Sequence, residues 1–375
     1  MPPLSSALDP RLQERFQKRL QQRLSAEDIA RFERDGAICI KQLLTPDEVA
    51  LLREGIDANL AAPSPRAKVA SRPDDPGRFF EDFCNWQDIP QFGRFVHETP
   101  LALAAKRLMQ SRTVRLYHDH VLVKEPGTRQ KTPWHQDQPE ACGPHFAGSR
   151  WVGKRPSARR SPQKGYRPCE DGQRSDWPLS GPTLREGMPA HATPRCTPWL
   201  YRHTASGVRL DLHGRACLRD PRNGERRPPN IDGMQNISMW IPVDPVSRPA
   251  TLEFVAGSHK GPWLMPRTFM DNQAKWFPEG SLQDMPDIEA DRAAHPVLGW
   301  DITPGDVVCF HMLTLHGAGG FEGPGRRRVF SVRFMGEDTR HAPRRWTTSP
   351  EFPGLADTLP AGAPMDHPLF PLLVG

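Results

Sequence analysis

The chain has 375 residues, 37% of them apolar, with 42 prolines and a formal charge of +6, enough for one large domain or two ordinary ones. The charge is concentrated: residues 140–229 carry 15 Arg and 2 Lys against 8 Asp and Glu, a net of +9, which leaves −3 for the remainder. That distribution argues against nucleic acid as a partner, and no apolar run approaches the ~18 residues of a membrane span. Seven cysteines without regular spacing suit a reducing, cytoplasmic setting better than a disulfide framework. The opening MPPLSSALDP lacks the basic and apolar regions expected of a signal peptide.

In chain order, RLQERFQKRLQQRL places Leu12, Phe16, Leu20 and Leu24 at i, i+4 spacing, which predicts an amphipathic helix packed on a domain. SAEDIARFERDG follows, with Ser25 as N-cap, Asp28 at the capping-box position and Gly36 as the stop. AICIKQLL reads as a short strand. TPDEVALLREGIDANL predicts a second capped helix, with Thr45 at N-cap, Pro46 in the first turn and Glu48 closing the box. After residue 110 the pattern changes to short strands rich in β-branched and aromatic residues: TVRLYHDHVLVKEPG, QNISMWIPVD, TLEFVAGSH, GDVVCFHMLTLHG and RRVFSVRFMG. Many short strands separated by Gly and Pro turns predict a sandwich or barrel, of which the jelly roll is one solution.

Residues 140–229 break that pattern. They hold 12 prolines, no isoleucine and only 9 residues of Leu, Val and Phe in 90. So little apolar surface does not offset chain entropy, which predicts a disordered insertion. CGPH at 142–145 offers metal-binding residue types, but Cys169, Cys196 and Cys217 match no paired zinc-knuckle spacing. The domain reading is an N-terminal helix (1–24), a jelly roll in two parts (25–139 and 230–340), the insertion between them, and a C-terminal tail (341–375).

The chemistry centres on TPWHQDQP. In a strand, His135 and Asp137 point to one face, with Gln136 on the other. Two histidines and one carboxylate with open positions characterise non-haem Fe(II) oxygenases. GDVVCFHMLTLHGAGG offers two candidates for the missing histidine. His311, mid-strand behind Cys309 and Phe310, reads as a core residue. His316, at a strand end followed by Gly317, Gly319 and Gly320, is the better ligand candidate. YHDH at 117–120 holds another such pairing, His118 and His120 around Asp119, so His-x-Asp alone is a weak signal. A cosubstrate carboxylate calls for an arginine fork. In RRRVFSVRF, Arg327, Val329 and Ser331 share one face, and Arg328, Phe330, Val332 and Phe334 share the other, which favours Arg327.

These pieces, in this order, resemble the phytanoyl-CoA dioxygenase family of Fe(II)/2-oxoglutarate oxygenases. ARFERDGAICIKQLLTPDEV, HDHVLVKEPGT, TPWHQDQP, NISMWIPVDP, TLEFVAGSHK, GDVVCFHMLTLHGAGG and RRRVFSVRF carry the resemblance over roughly 25–139 and 230–340. It implies a mainly β fold with N-terminal helices, a double-stranded β-helix (jelly roll, cupin-like). It implies His135, Asp137 and His316 as iron ligands and Arg327 as partner of the 2-oxoglutarate C5 carboxylate. It places Lys124, Gln136, Trp240 and His120 in the cosubstrate pocket, and makes His259 of GSHK a structural turn residue. The implied activity is hydroxylation of a C–H bond of a small molecule, using Fe(II), 2-oxoglutarate and O₂, with ascorbate as reductant and succinate and CO₂ as products. Halogenases on this scaffold carry a small residue in place of the carboxylate, so Asp137 argues against that branch. The family follows HQDQP with two aromatic residues and runs directly into the equivalent of NIDGMQNISMW. Here Glu140 to Pro229 split that junction, which supports the alternative of a catalytically inactive, ligand-binding jelly roll.

Overall fold

The N-terminal apolar stripe becomes α1 (Pro10–Arg23), with Phe16 and Leu20 fully buried. α2 (Ala26–Asp35) starts at a complete capping box between Ser25 and Asp28 and ends at Gly36, whose φ of +79° only glycine adopts freely. Gly36 is required on a second ground: a Cβ there would lie 2.3 Å from His259 Nδ1 and 2.5 Å from Thr314 Oγ1. β1 (Ala37–Ile40) follows, then α3 (Pro46–Ala61), capped by the Thr45–Glu48 box. The Glu48 carboxylate also accepts two bonds from Arg19, at 2.7 and 2.9 Å, so the cap of α3 clamps α1.

The computed structural model describes residues 10–71, 74–137, 231–265, 282–321, 325–344 and 350–375, with the backbone of 202–203 and 209–210. The chain divides into one compact unit, Met1–Ala141 with Asp220–Gly375, and a second, Cys142–Arg219. Between 62 and 110, where the sequence pattern suggested no element, lie β2 (Lys68–Val69), β3 (Phe79–Phe83), α4 (Pro90–His97) and α5 (Leu101–Met109). β4 (Val114–Lys124) and β5 (Thr132–His135) lead into the second unit. Its described residues are β6 (Arg202–His203) and β7 (Arg209–Leu210), an antiparallel pair. The rest of the predicted insertion lies outside the described residues, as does any zinc ligation by its cysteines.

The first unit resumes with β8 (Ile231–Asp232), β9 (Asn236–Pro242), β10 (Leu252–Val255) and β11 (Val297–Leu298). Then come β12 (Val307–Phe310), β13 (His316–Ala318), β14 (Arg327–Met335), β15 (Arg340–His341), α6 (Leu355–Thr358) and β16 (Leu372–Val374). The main sheet runs β1-β12-β9-β14-β4-β3-β2, with β16 also on β4, and the smaller sheet runs β11-β10-β13-β5. Every ladder between these strands is antiparallel.

One core joins the two sheets: Ala37, Trp240, Val308, Phe310 and Val329 of the main sheet meet Leu252, Phe254 and Ala318 of the smaller one. A second core lies on the other face of the main sheet, where Val121, Val123, Phe330, Val332 and Phe334 meet the helices. Phe330 sits between Phe92 and Phe95 of α4, with ring centroids 4.7 and 5.8 Å away. The fold is therefore a jelly roll backed by helices on one face of its larger sheet.

Two expectations change. GDVVCFHMLTLHGAGG is not one strand: β12 and β13 belong to different sheets, and residues 311–315 cross between them. The His311 N–H and the Thr314 hydroxyl both donate to the Gly36 carbonyl, which pins that crossing to the end of α2. Residues 341–375, expected as a tail, supply β16 and a third core in which Phe370, Leu355 and Met365 surround Tyr117.

Candidate metal centre

His135 ends β5 and His316 begins β13, and the two are direct partners in that ladder. Cross-strand partners share a face, and the two rings lie 4.2 Å apart. Asp137 lies beyond the end of β5, held by its own N–H donating to the Met312 carbonyl at 2.8 Å. It thus reaches the histidines through a bend rather than through strand alternation. Asp137 Oδ1 is 3.6 Å from His135 Nε2 and 3.7 Å from His316 Nε2. Among the described residues this is the one group of three or more metal-ligating side chains with donor atoms within 4.8 Å of one another.

The second nitrogen of each ring settles its tautomer. His135 Nδ1 lies 2.8 Å from the Pro133 carbonyl and His316 Nδ1 2.9 Å from the Thr314 carbonyl. An acceptor there requires Nδ1–H, so Nε2 is the atom each ring turns towards Asp137 and offers to a metal. Burial, then the neighbouring His135, pushes the His316 imidazole down to about 3, so it is neutral near pH 7. Burial alone would raise the Asp137 carboxyl. Arg333, His135 and His316 more than offset this and hold it well below the usual carboxylate range. The donor set is therefore two imidazoles and one carboxylate, which suits ferrous iron.

Arg333 and Ser238 border the triad, and the sequence pattern did not single them out. Arg333 Nη2 donates to Asp137 Oδ2 at 3.0 Å and Ser238 Oγ at 3.2 Å. Arg333 continues the 327, 329, 331 alternation, so the signal was present in the strand's parity. His118, also passed over, is the direct partner of Arg333 on β4.

The other end of the sheet carries a second set. Arg327 and Lys124 are direct partners on β14 and β4, 4% and 0% exposed. Arg327 donates to the Ala250 carbonyl and lies over the rings of Trp240 and Phe321, 5.7 and 5.8 Å from their centroids. No carboxylate of the described residues pairs with it, and burial pushes its guanidinium down to about 10. A buried arginine without an acid partner is costly unless a ligand supplies the anion. Lys124 Nζ donates to the carbonyls of Gln130 and Gly319, at 2.6 and 3.3 Å.

Between the two ends, His120 faces Ser331 across the ladder, stacks on Phe83 at 3.9 Å and lies 3.6 Å from Glu81. Gln136 does not join this group. Its Nε2 donates to the Leu313 carbonyl and its Oε1 accepts from the Leu264 N–H, so backbone engages both ends of the carboxamide. His311 is buried with both nitrogens bonded, Nδ1 accepting from Leu313 N–H and Nε2 donating to the Met234 carbonyl. His259 is buried at the α2 end, 3.3 Å from the Glu33 carbonyl.

The family model of phytanoyl-CoA dioxygenase (PhyH) matches residues 32–149 and 214–329. Among solved structures, the chain is similar to SnoK, a non-haem α-ketoglutarate-dependent carbocyclase from nogalamycin biosynthesis. Identity is 16% at a TM-score of 0.55, over 94% of this chain and 97% of SnoK. It is similar as well to the epimerase SnoN in complex with Fe³⁺, α-ketoglutarate and nogalamycin RO. There identity is 18% at a TM-score of 0.52, over 97% of this chain and all (100%) of SnoN. At such identities the likeness is one of fold. No curated protein sequence matches the chain. Jelly roll, ligand triad and family match together define an iron- and 2-oxoglutarate-dependent oxygenase, an oxidoreductase. The chain belongs to the phytanoyl-CoA dioxygenase (PhyH) family.

Proposed function

We propose that this protein hydroxylates a C–H bond of a small molecule, consuming 2-oxoglutarate and O₂ and releasing succinate and CO₂. The observation that carries the reading is the pairing of two half-sites. A His, His, carboxylate triad lies at one end, and a buried arginine without an acid partner among the described residues lies at the other. In this reading His135, Asp137 and His316 hold Fe(II), which supplies the oxidising chemistry when 2-oxoglutarate and O₂ are bound. Arg327 receives the remote carboxylate of 2-oxoglutarate as a bidentate fork. Lys124 adds a second buried charge beside it, and Trp240 walls the aliphatic part of the cosubstrate. His120 and Ser331 flank the path between the two ends. The Pro133 and Thr314 carbonyls keep the ligand imidazoles in the metal-binding tautomer. The decisive assay measures succinate formed by purified protein with Fe(II), 2-oxoglutarate and ascorbate. Dependence on iron, and loss in Asp137→Ala, support the reading; iron-independent turnover sinks it.

A second reading, a ligand-binding jelly roll without turnover, is favoured by one observation: the family match is interrupted between residues 149 and 214, soon after Asp137. Deleting 150–213 separates the two. If the shortened chain forms succinate and the full chain only binds 2-oxoglutarate, the intervening stretch silences an otherwise intact site.

A further inference from the structure

We infer that Arg333 is a positioning residue for the metal ligand Asp137, holding its carboxylate to a single ligating oxygen. This rests on the reading of His135, Asp137 and His316 as an iron site. The argument starts from the sheet. Ser238, Arg333 and His118 are direct partners on β9, β14 and β4, one row across three strands. Arg333 reaches Asp137, so this row faces the metal ligands. Two of its members then divide the carboxylate's oxygens. Oδ2 accepts from Arg333 Nη2 at 3.0 Å and from Ser238 Oγ at 3.2 Å, whereas Oδ1 faces the two Nε2 atoms. A carboxylate held in this way offers a metal one oxygen. Released, it rotates freely and offers two, and the second competes for the positions a chelating 2-oxo acid needs.

The third member of the row packs beside the clamp. His118 is buried against Arg333, and its Nδ1 lies 3.2 Å from the Asp119 carbonyl. Burial, and then the Arg333 charge, leave its imidazole neutral. Arg333 itself is 8% exposed, and it also makes a long contact, 3.4 Å, to the Ser331 hydroxyl. A side chain present only to fill space needs no such aim at one oxygen.

Co(II), whose ligand-field spectrum reports coordination number, serves as the probe. Outer-shell partners of metal ligands typically contribute about 10- to 100-fold in affinity. Arg333→Met is expected to weaken Co(II) binding by about that factor, to change the spectrum, and to weaken 2-oxoglutarate binding to the Co(II) protein. Arg333→Lys, which keeps one charged donor, is expected to recover most of each loss. Ser238→Ala should give the same spectral change at smaller amplitude, and it carries the test if Arg333→Met does not fold. A folded Arg333→Met or Ser238→Ala protein with wild-type affinity and spectrum overturns the role given to Arg333 while leaving the iron site standing. Wild-type protein that binds Co(II) no better than Asp137→Ala overturns both.

Discussion

The two ends of the site are built by opposite means. The metal end comes from the smaller sheet, where β5 and β13 are four and three residues long and Asp137 lies in the bend beyond β5. The anion end comes from the main sheet, where β4 and β14 run for eleven and nine residues under a helical layer. Short strands do not aim a side chain by themselves, so backbone carbonyls orient each imidazole and Arg333 and Ser238 orient the carboxylate. Long strands set side-chain direction by alternation, so register already brings Arg327 and Lys124 together before backbone carbonyls receive their N–H groups. The metal end is therefore aimed chiefly by hydrogen bonds from outside its strands, and the anion end chiefly by the register of its own strands.

That contrast predicts separable losses. Asp137→Ala is expected to abolish Fe(II) binding and succinate formation, the largest effect, and to lower stability by about 3 kcal/mol or more, because it leaves the buried Arg333 without its carboxylate. Metal titration and urea unfolding together check both halves. Arg327→Ala should do the reverse, leaving Co(II) affinity intact and raising the KM for 2-oxoglutarate. Losing one member of a buried charge pair costs about 2–5 kcal/mol, or about 30-fold to several thousand-fold in affinity. Arg326, paired with Glu125 on the surface, gives Arg326→Ala little effect. Equal effects from the two arginines would remove the distinction by parity.

Acid should weaken the metal-free protein through its buried histidines. Burial pushes His311 down to about 4, below the 6.5 of an exposed imidazole. The unfolded chain then takes up a proton that the folded one refuses. Stability from this group is complete above pH 6.5, falls as pH drops towards 4, and is flat below, for a total on the order of 3 kcal/mol. Urea unfolding from pH 7.5 to 4 should show a shallower fall in His311→Gln than in wild type; parallel curves would contradict the assignment. The smallest effect belongs to the helical layer, where Ser25→Ala removes the cap of α2 and should cost about 1 kcal/mol without touching either ligand affinity.

Much of this was legible before any coordinates. Both capping boxes, the α1 stripe, the long strands and the identities of His135, Asp137, His316 and Arg327 could be named from residue types and spacing. α4 and α5 could not, because neither has a side-chain N-cap bond and their apolar residues lie close together rather than in a sparse stripe. β5 and β13 are too short to show a period, so the sequence pattern runs the strand around His316 into β12. Arg333 was visible by parity but indistinguishable from a solvated arginine until its partner across the barrel was in place.

The sequence by itself thus determined whatever depends on neighbours a few residues apart: helix caps, the Gly36 stop, alternation along β4 and β14, and the supply of metal-ligating and anion-binding side chains. The tertiary structure alone decided which of these meet. It brought His135 and His316 into one ladder from residues 181 apart in the chain, set Arg333 and Ser238 on one oxygen of Asp137, engaged Gln136 with backbone, and buried Arg327 without an acid partner among the described residues. The reason is physical. Hydrogen bonds within a turn or cap close over a few residues and act in any context. Burial and cross-strand pairing exist only once distant segments have closed the sheet, and they decide which charge is left to a ligand.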